Sequence, residues 1–380
     1  MEIVNMDDVS MAKIEELYLS LLRAAIFGRH DDQFMIGGQR ELTAVIQLAA
    51  FQGTGPLVYD QLLKMQDLEI SSDLRMQMKQ QCVSNMMQQQ VMISLLKSAW
   101  KALVNAGIQP VLLKGFGLAQ CYPQPYLRQW GDMDVYVGAA NYHLGCSVLR
   151  NTFPGVSHTE KEDESHKHYN FEFGNAVLEM HRISMAFAHP QDRKYYEHLE
   201  ERYLTKEGPK TDIEGLTVTL PEDTFNVFFV FLHAWHHFSE TGMNMKQLCD
   251  VAVMLHAKSN VIDQKRLKEM LSRLYLMEVW QSFMYIMVHY LGLSIEECPY
   301  YTVESKEYAE LLFSRVIKEG TSRIPENINA DGASYIKRKW LTFQSRMGDS
   351  RLLKLYAPRY ARHLMVANIL HGIERIIKGK

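Results

Sequence analysis

Cysteine is scarce and scattered in this 380-residue chain: Cys82, Cys121, Cys146, Cys249 and Cys298 form no Cys-x-x-Cys pair. An odd, dispersed set argues against a disulfide framework and a cysteine-rich zinc site. It predicts a reducing compartment, with each thiol serving as a small buried hydrophobe. Long apolar runs are missing too. None approaches the ~20 residues of a spanning helix, and the richest stretch, from Asn226 to Trp235, runs straight into His236 and His237. The opening residues, MEIVNMDDVS, are acidic and lack the basic and apolar zones of a secretion signal, so the expected location is cytoplasmic. There is little net charge, −3 by formal count, and hence no general pull on polyanions. Fixed-period repeats and low-complexity tracts are absent from the sequence. With 47% hydrophobic and 22% charged residues the composition excludes general disorder. At roughly 100–200 residues per domain the length allows two or three domains.

What is present divides into helices, a short α/β stretch, then helices again. Ile14, Leu17, Leu21 and Leu22 recur at helical spacing before Gly28. A second helix is predicted from Arg40 to Phe51, and a long one from Ser72 to Gly107. In the long helix Val83, Met86, Met87, Gln90, Leu95, Trp100, Leu103 and Val104 are expected to form the core-facing stripe. The pattern then changes. Ile108 to Lys114 reads as a buried strand after a glycine stop, GFGLAQCY as a helix opening, Met133 to Val137 as a second strand, and Asn141 to Phe153 as a helix. From Pro221 onward the pattern is helical, with Phe225, Phe228, Phe229 and Leu232 on one stripe and a last helix from Ala361 to Lys378. The expected division is residues 1–107 helical, 108–220 α/β, and 221–380 helical.

HYNFEFGNAVLEMHR carries a hairpin signal, two alternating runs around Gly174-Asn175. A two-residue turn there pairs His168 with His181, Asn170 with Glu179 and Glu172 with Val177, all on one face. Tyr169, Phe171, Phe173, Ala176, Leu178 and Met180 then point to the core.

The chemistry-bearing residues cluster in the middle of the chain. Asp132 and Asp134 form an Asp-x-Asp pair, which strand alternation sends to one face. Two such carboxylates repel unless a proton or a cation intervenes, and Mg²⁺ accepts carboxylate oxygen while leaving room for substrate phosphates. Glu179 lies on the polar side of the ribbon, where a carboxylate needs a partner. Three carboxylates on neighbouring strands suit phosphoryl-transfer chemistry assisted by two metal ions. Lys114 stands at a strand end, followed by Gly115 and Gly117, which allow a tight turn that aims backbone N–H groups at an anion. The order is not that of a Walker A loop, because the lysine precedes the glycines. Arg128 adds a candidate bidentate phosphate contact.

VLLKGFGLAQCYPQPYLRQWGDMDVYV, followed by AVLEMHRIS and the helices PEDTFNVFFVFLHAWHH and KQLCDVAVML, resembles the uncharacterised bacterial nucleotidyltransferase family of the polymerase-β-like superfamily. The resemblance covers about Gly107 to Leu255. It implies an α+β fold, a small mixed-sheet nucleotidyltransferase unit flanked by N- and C-terminal helical regions. It implies Asp132, Asp134 and Glu179 as catalytic metal ligands for Mg²⁺, with Mn²⁺ as substitute. Lys114, Gly115, Gly117 and Arg128 would bind the phosphates of a nucleoside triphosphate. An acceptor (small molecule, protein or RNA) would attack the α-phosphate and release pyrophosphate. The wider superfamily has Gly-Ser where this chain has Lys-Gly-Phe-Gly. The same residues without turnover would make a nucleotide-binding sensor or scaffold.

His233 and His237 share a helix face at zinc-pair spacing, but Ala234 stands where a zinc protease carries its glutamate and the sequence identifies no third ligand, which argues against that class. The resemblance makes them cleft-lining residues together with His181 and Asp250. The other reading is boundary histidines with satisfied hydrogen bonds, and an Asp250–Lys246 pair one turn apart. From Lys337 onward the chain has a local balance of +9, against −12 for the remainder. Tyr335, Trp340, Phe343, Tyr356 and Tyr360 interleave aromatics with this charge. That combination fits either a nucleic-acid partner or a solvated basic face.

Overall fold

The computed structural model describes residues 11–29, 36–159, 167–187, 189–240 and 242–321, with isolated positions 354, 357, 358 and 362. The basic region after Lys337 and the expected last helix lie outside the described residues, those isolated positions apart.

The chain opens with α1 (Met11–Phe27), α2 (Gln39–Phe51), α3 (Gly55–Lys64) and α4 (Ser72–Asn105). α4 starts where Ser71 accepts a hydrogen bond from the Leu74 amide at 3.3 Å, with Asp73 in the first turn. Its buried face differs from the expected stripe. Gln89, Met92, Ile93, Leu96, Ala99, Trp100 and Leu103 are buried, whereas Val83, Met86, Met87 and Val104 are exposed. The reason is packing: only the second half of α4 lies on the sheet layer, and the buried positions repeat every three or four residues around that contact.

Next come β1 (Val111–Leu112), α5 (Phe116–Ala119), β2 (Met133–Tyr136), α6 (Gly138–Thr152), β3 (Ser157–His158), β4 (His168–Phe173) and β5 (Ala176–His181). The five strands form one sheet in the order β1-β2-β5-β4-β3. β2 and β5 run parallel and the other neighbours antiparallel, so the sheet is mixed. Within the β4–β5 hairpin, His168 pairs with His181, Asn170 with Glu179 and Glu172 with Val177, as the turn position requires. Gly174 supplies the positive φ of the turn, +63°. Tyr169, Phe171, Leu178 and Met180 pack beneath the sheet with Val135, α6 and the second half of α4.

The chain continues through α7 (Pro190–Tyr203), a separate hairpin of β6 (Lys210–Ile213) and β7 (Leu216–Thr219), then α8 (Asp223–Glu240), α9 (Met245–Lys258), α10 (Gln264–Arg273), α11 (Met277–His289) and α12 (Lys306–Glu319). The architecture is α+β, a small mixed sheet flanked by helices. Helices from both ends of the sequence share one hydrophobic cluster that includes Leu17, Leu42, Leu57, Phe228, Trp235, Leu248, Trp280 and Leu312. Gln52, fully buried, locks this junction. Its Nε2 donates to the carbonyls of Val316 (3.0 Å) and Ile317 (2.9 Å), and its Oε1 accepts from the Met245 amide (2.9 Å). The start of α9 is thereby fixed against α2 and α12. None of the described helices is long and apolar enough to cross a membrane.

Candidate active site

The parallel pairing of β2 with β5 sets Asp134 directly beside Glu179. The Leu113 amide donates to the Asp134 carbonyl at 3.0 Å, which extends the β1–β2 pairing and brings Lys114 alongside. Gly115 then turns the chain into α5 with φ of +61°, a conformation that side chains with a Cβ seldom adopt. Gly117 has a different task. A Cβ there would lie 2.4 Å from Leu220 Cδ2, so this glycine admits a close side-chain approach inside the fold.

Asp134 is only 2% exposed, and its Oδ1 accepts from Lys114 Nζ at 3.0 Å and faces His181 Nε2 at 2.9 Å. Burial would raise its pKa, but Lys114 and His181 outweigh burial and hold the carboxyl well below its usual range. His181 donates Nδ1–H to the Ile183 carbonyl (3.2 Å), which leaves Nε2 facing Asp134 and also Glu179 Oε2, at 3.2 Å. Burial disfavours the imidazolium, yet the two carboxylates raise its pKa. Glu179 is held low by His181 against the opposing effect of burial. Across the hairpin, His168 Nε2 stands 3.5 Å from Glu179 Oε1, and burial pushes the His168 pKa down to about 4. Asp132 lies just before β2 and is more open to solvent. Partial burial, then the Glu179 charge, then that of Asp134 raise its pKa. Glu179 and Asp134 disfavour the ionised Asp132, and Asp134 disfavours the ionised Glu179, a repulsion that a divalent cation relieves, so these residues fit a metal. Among the described residues, the ligand atoms of His168, Glu179 and His181 all lie within 4.8 Å of one another.

The helical region closes the other side. On α8, His233 Nε2 accepts from Lys114 Nζ at 2.9 Å, and His237 Nε2 lies 3.2 Å from the same nitrogen. Burial and the Lys114 charge keep both rings neutral, with His233 far below its ordinary value and His237 at about 4. His233 therefore orients Lys114 as a neutral acceptor, with the neutral His237 ring set against it. Arg128 is buried and gives Nε and Nη2 to Asp250 at 2.7 and 2.8 Å, while the Tyr122 hydroxyl donates to the same carboxylate at 2.7 Å. Asp250 thus pairs with Arg128, not with Lys246. Gln89 of α4 holds the Arg128 segment by donating to the Tyr126 and Arg128 carbonyls at 2.8 and 3.1 Å.

Lys246 belongs to the same constellation, and sequence spacing assigned it only as a partner for Asp250. Its charge is felt at Asp132, and it interacts electrostatically with Arg128, Asp250 and Lys114. Burial, followed by the like charge of Arg128, lowers its pKa to about 8. Its ammonium, close enough to Arg128 and Lys114 to feel both charges, adds a third cation beside the carboxylates, and a polyphosphate calls for cations. The signal that could have found it was its place in the first turn of a helix that also carries Asp250.

A family model described as "Uncharacterised nucleotidyltransferase" matches residues 39–292. No curated protein and no solved structure matches the chain.

Proposed function

The chain belongs to the uncharacterised nucleotidyltransferase family, and from that premise we propose that it moves a nucleoside monophosphate from a nucleoside triphosphate to an acceptor in a Mg²⁺-dependent reaction, with Mn²⁺ as substitute. The observation that carries this reading is the contact between an acidic and a basic cluster. Asp134, Glu179 and nearby Asp132 stand on one side, and Lys114, anchored to Asp134, leads toward Lys246 on the other, while Arg128 is committed to Asp250 instead of to a phosphate. Such a division matches a metal-bound polyphosphate, with cations on the phosphate oxygens and carboxylates on the metal.

Asp132, Asp134 and Glu179 would hold the metal, which when bound supplies charge neutralisation at the transferred group. The chain's own residues do the rest. Lys114, held by Asp134 and His233, presents its remaining N–H to a phosphate oxygen, and the turn at Gly115 keeps it at the strand end. Lys246 adds positive charge for the leaving pyrophosphate. Glu179, ionised at neutral pH, takes the proton of the acceptor group. That group bonds to the α-phosphorus as the bond to the α,β-bridging oxygen breaks, and pyrophosphate departs with both electrons of that bond. The acceptor class, whether small molecule, protein or RNA, is set by groups beyond this constellation.

Position-specific labelling tests the reaction type. Each of the four nucleoside triphosphates, labelled in turn at the α- or the γ-phosphate, is incubated with Mg²⁺, the protein and a cell extract as acceptor source. The proposal expects α-label on an acceptor and γ-label in pyrophosphate. Transfer of γ-label to an acceptor would make the protein a kinase instead. Saturable binding with no pyrophosphate would make it a nucleotide sensor.

A further inference from the structure

The polar face of the β4–β5 hairpin presents His168, Glu179 and His181 together, two imidazoles around one carboxylate. Glu179 touches both rings, with Oε1 3.5 Å from His168 Nε2 and Oε2 3.2 Å from His181 Nε2. Ligands bound at 2.0–2.1 Å around a tetrahedral ion lie roughly 3.4 Å apart. The two Glu179 contacts match that spacing, and all three ligand atoms lie within 4.8 Å of one another. The rings are also oriented as ligands are. His181 gives Nδ1–H to the Ile183 carbonyl, so Nε2 is the nitrogen turned to the carboxylates, and a backbone carbonyl on the far nitrogen is a usual support for a metal-bound imidazole. Asp134 Oδ1, 2.9 Å from the same Nε2, offers a further oxygen. His168 Nδ1 is buried with no hydrogen-bond partner among the described residues, so the polar contact that orients this ring is that of Nε2 to Glu179.

Donor chemistry then selects the ion. Mg²⁺ favours oxygen ligands and octahedral geometry, whereas imidazole nitrogen suits borderline first-row ions. We infer that His168, Glu179 and His181 form a transition-metal position beside the aspartates, one that takes Co²⁺ or Zn²⁺ in preference to Mg²⁺. It shares Glu179 with the carboxylate set, so its bearing on transfer rests on the transferase reading, whereas metal binding itself does not.

The test uses the full chain without nucleotide. Co²⁺ is titrated into wild type and His168→Ala while the visible ligand-field spectrum is recorded, and Zn²⁺ and Mg²⁺ then compete for the site. The expected result is one equivalent of Co²⁺ with the intense bands of a four-coordinate, nitrogen-containing site. Zn²⁺ displaces it, Mg²⁺ at equal concentration does not, and His168→Ala weakens binding by at least ~10-fold. Should that variant fail to fold, Glu179→Gln, which keeps the side-chain shape, reads the same loss. Weak six-coordinate bands, displacement by equimolar Mg²⁺, or binding unaffected in the folded variants would overturn the inference. The labelling experiment fails independently: transfer with Mg²⁺ but no Co²⁺ site removes only this inference, and a Co²⁺ site without transfer removes only the transferase reading.

Discussion

Lys114 and Lys246 show how single residues divide the work. Lys114 spends two of its three donors on Asp134 and His233, and is thereby fixed in direction. Lys246 stands among cations with its pKa lowered to about 8. In the folded protein its charged form is disfavoured relative to the unfolded chain, so stability rises as pH climbs from about 8 toward 10.5. Polyphosphate binding has the opposite sign, since the anion needs the protonated amine. Metal-free triphosphate affinity is therefore expected to hold below pH 8 and to decline above it. Lys246→Met should flatten that decline and weaken binding at pH 7 by roughly tenfold, the scale of one charge-assisted contact. Calorimetric titration of both proteins between pH 6.5 and 9.5 checks it, and an undiminished wild-type affinity at pH 9.5 would remove Lys246 from the phosphate site. Spacing places this lysine one turn before Asp250 but does not show its neighbours Arg128 and Lys114, both remote in sequence.

At the level of elements, the β4–β5 hairpin was the most legible feature. Strict alternation around Gly174-Asn175 fixes which residues face each other, and so which side of the ribbon carries Glu179. α4 was legible in extent but not in its buried face. Its first half is rich in Met and Gln without a dominant stripe, and only contact with the sheet decides which side of the second half is covered. α7 escaped notice because charge crowds it, and its apolar signal reduces to Tyr196, Leu199 and Tyr203. That helix carries a titration of its own. Glu200 is 3% exposed, accepts hydrogen bonds from the Ser184 amide and hydroxyl, and is pushed by burial to about 7. Its folded pKa lies above the unfolded value of 4.5, so the protonated form stabilises the fold, and that contribution is lost as pH rises from about 4.5 through 7. Glu200→Gln should keep the acceptor oxygen and remove this loss. Thermal unfolding is expected to show the variant above wild type at pH 8, by an amount of order 1–3 kcal/mol, with the two converging near pH 5. Equal midpoints at pH 8 would show that Glu200 ionises without cost.

For the whole molecule, the order of regions along the chain is a poor guide to how the site is assembled. Helices from both ends share one core, and the site joins the sheet (Asp134, Glu179, His181) to α8 (His233, His237) and α9 (Lys246, Asp250). Lys114 and His233 are 119 positions apart yet hydrogen-bonded. The family resemblance makes His233 and Asp250 cleft-lining residues, whereas spacing alone assigns them no site. Gln52, which fastens α9 to α2 and α12, has no local sequence signal, because its partners come from all three helices. The central claim is that this assembled constellation, and Asp134 above all, performs nucleotidyl transfer. It is tested most directly by measuring pyrophosphate release from each nucleoside triphosphate, with Mg²⁺ and extract, for wild type and Asp134→Asn at a temperature where circular dichroism shows both folded. Removing the anionic partner of Lys114 is expected to lower the unfolding midpoint modestly, by about 1–3 kcal/mol of stability. The account predicts extract-dependent pyrophosphate release by the wild type and a loss of at least ~100-fold in the folded variant. Release at the wild-type rate by folded Asp134→Asn would contradict it.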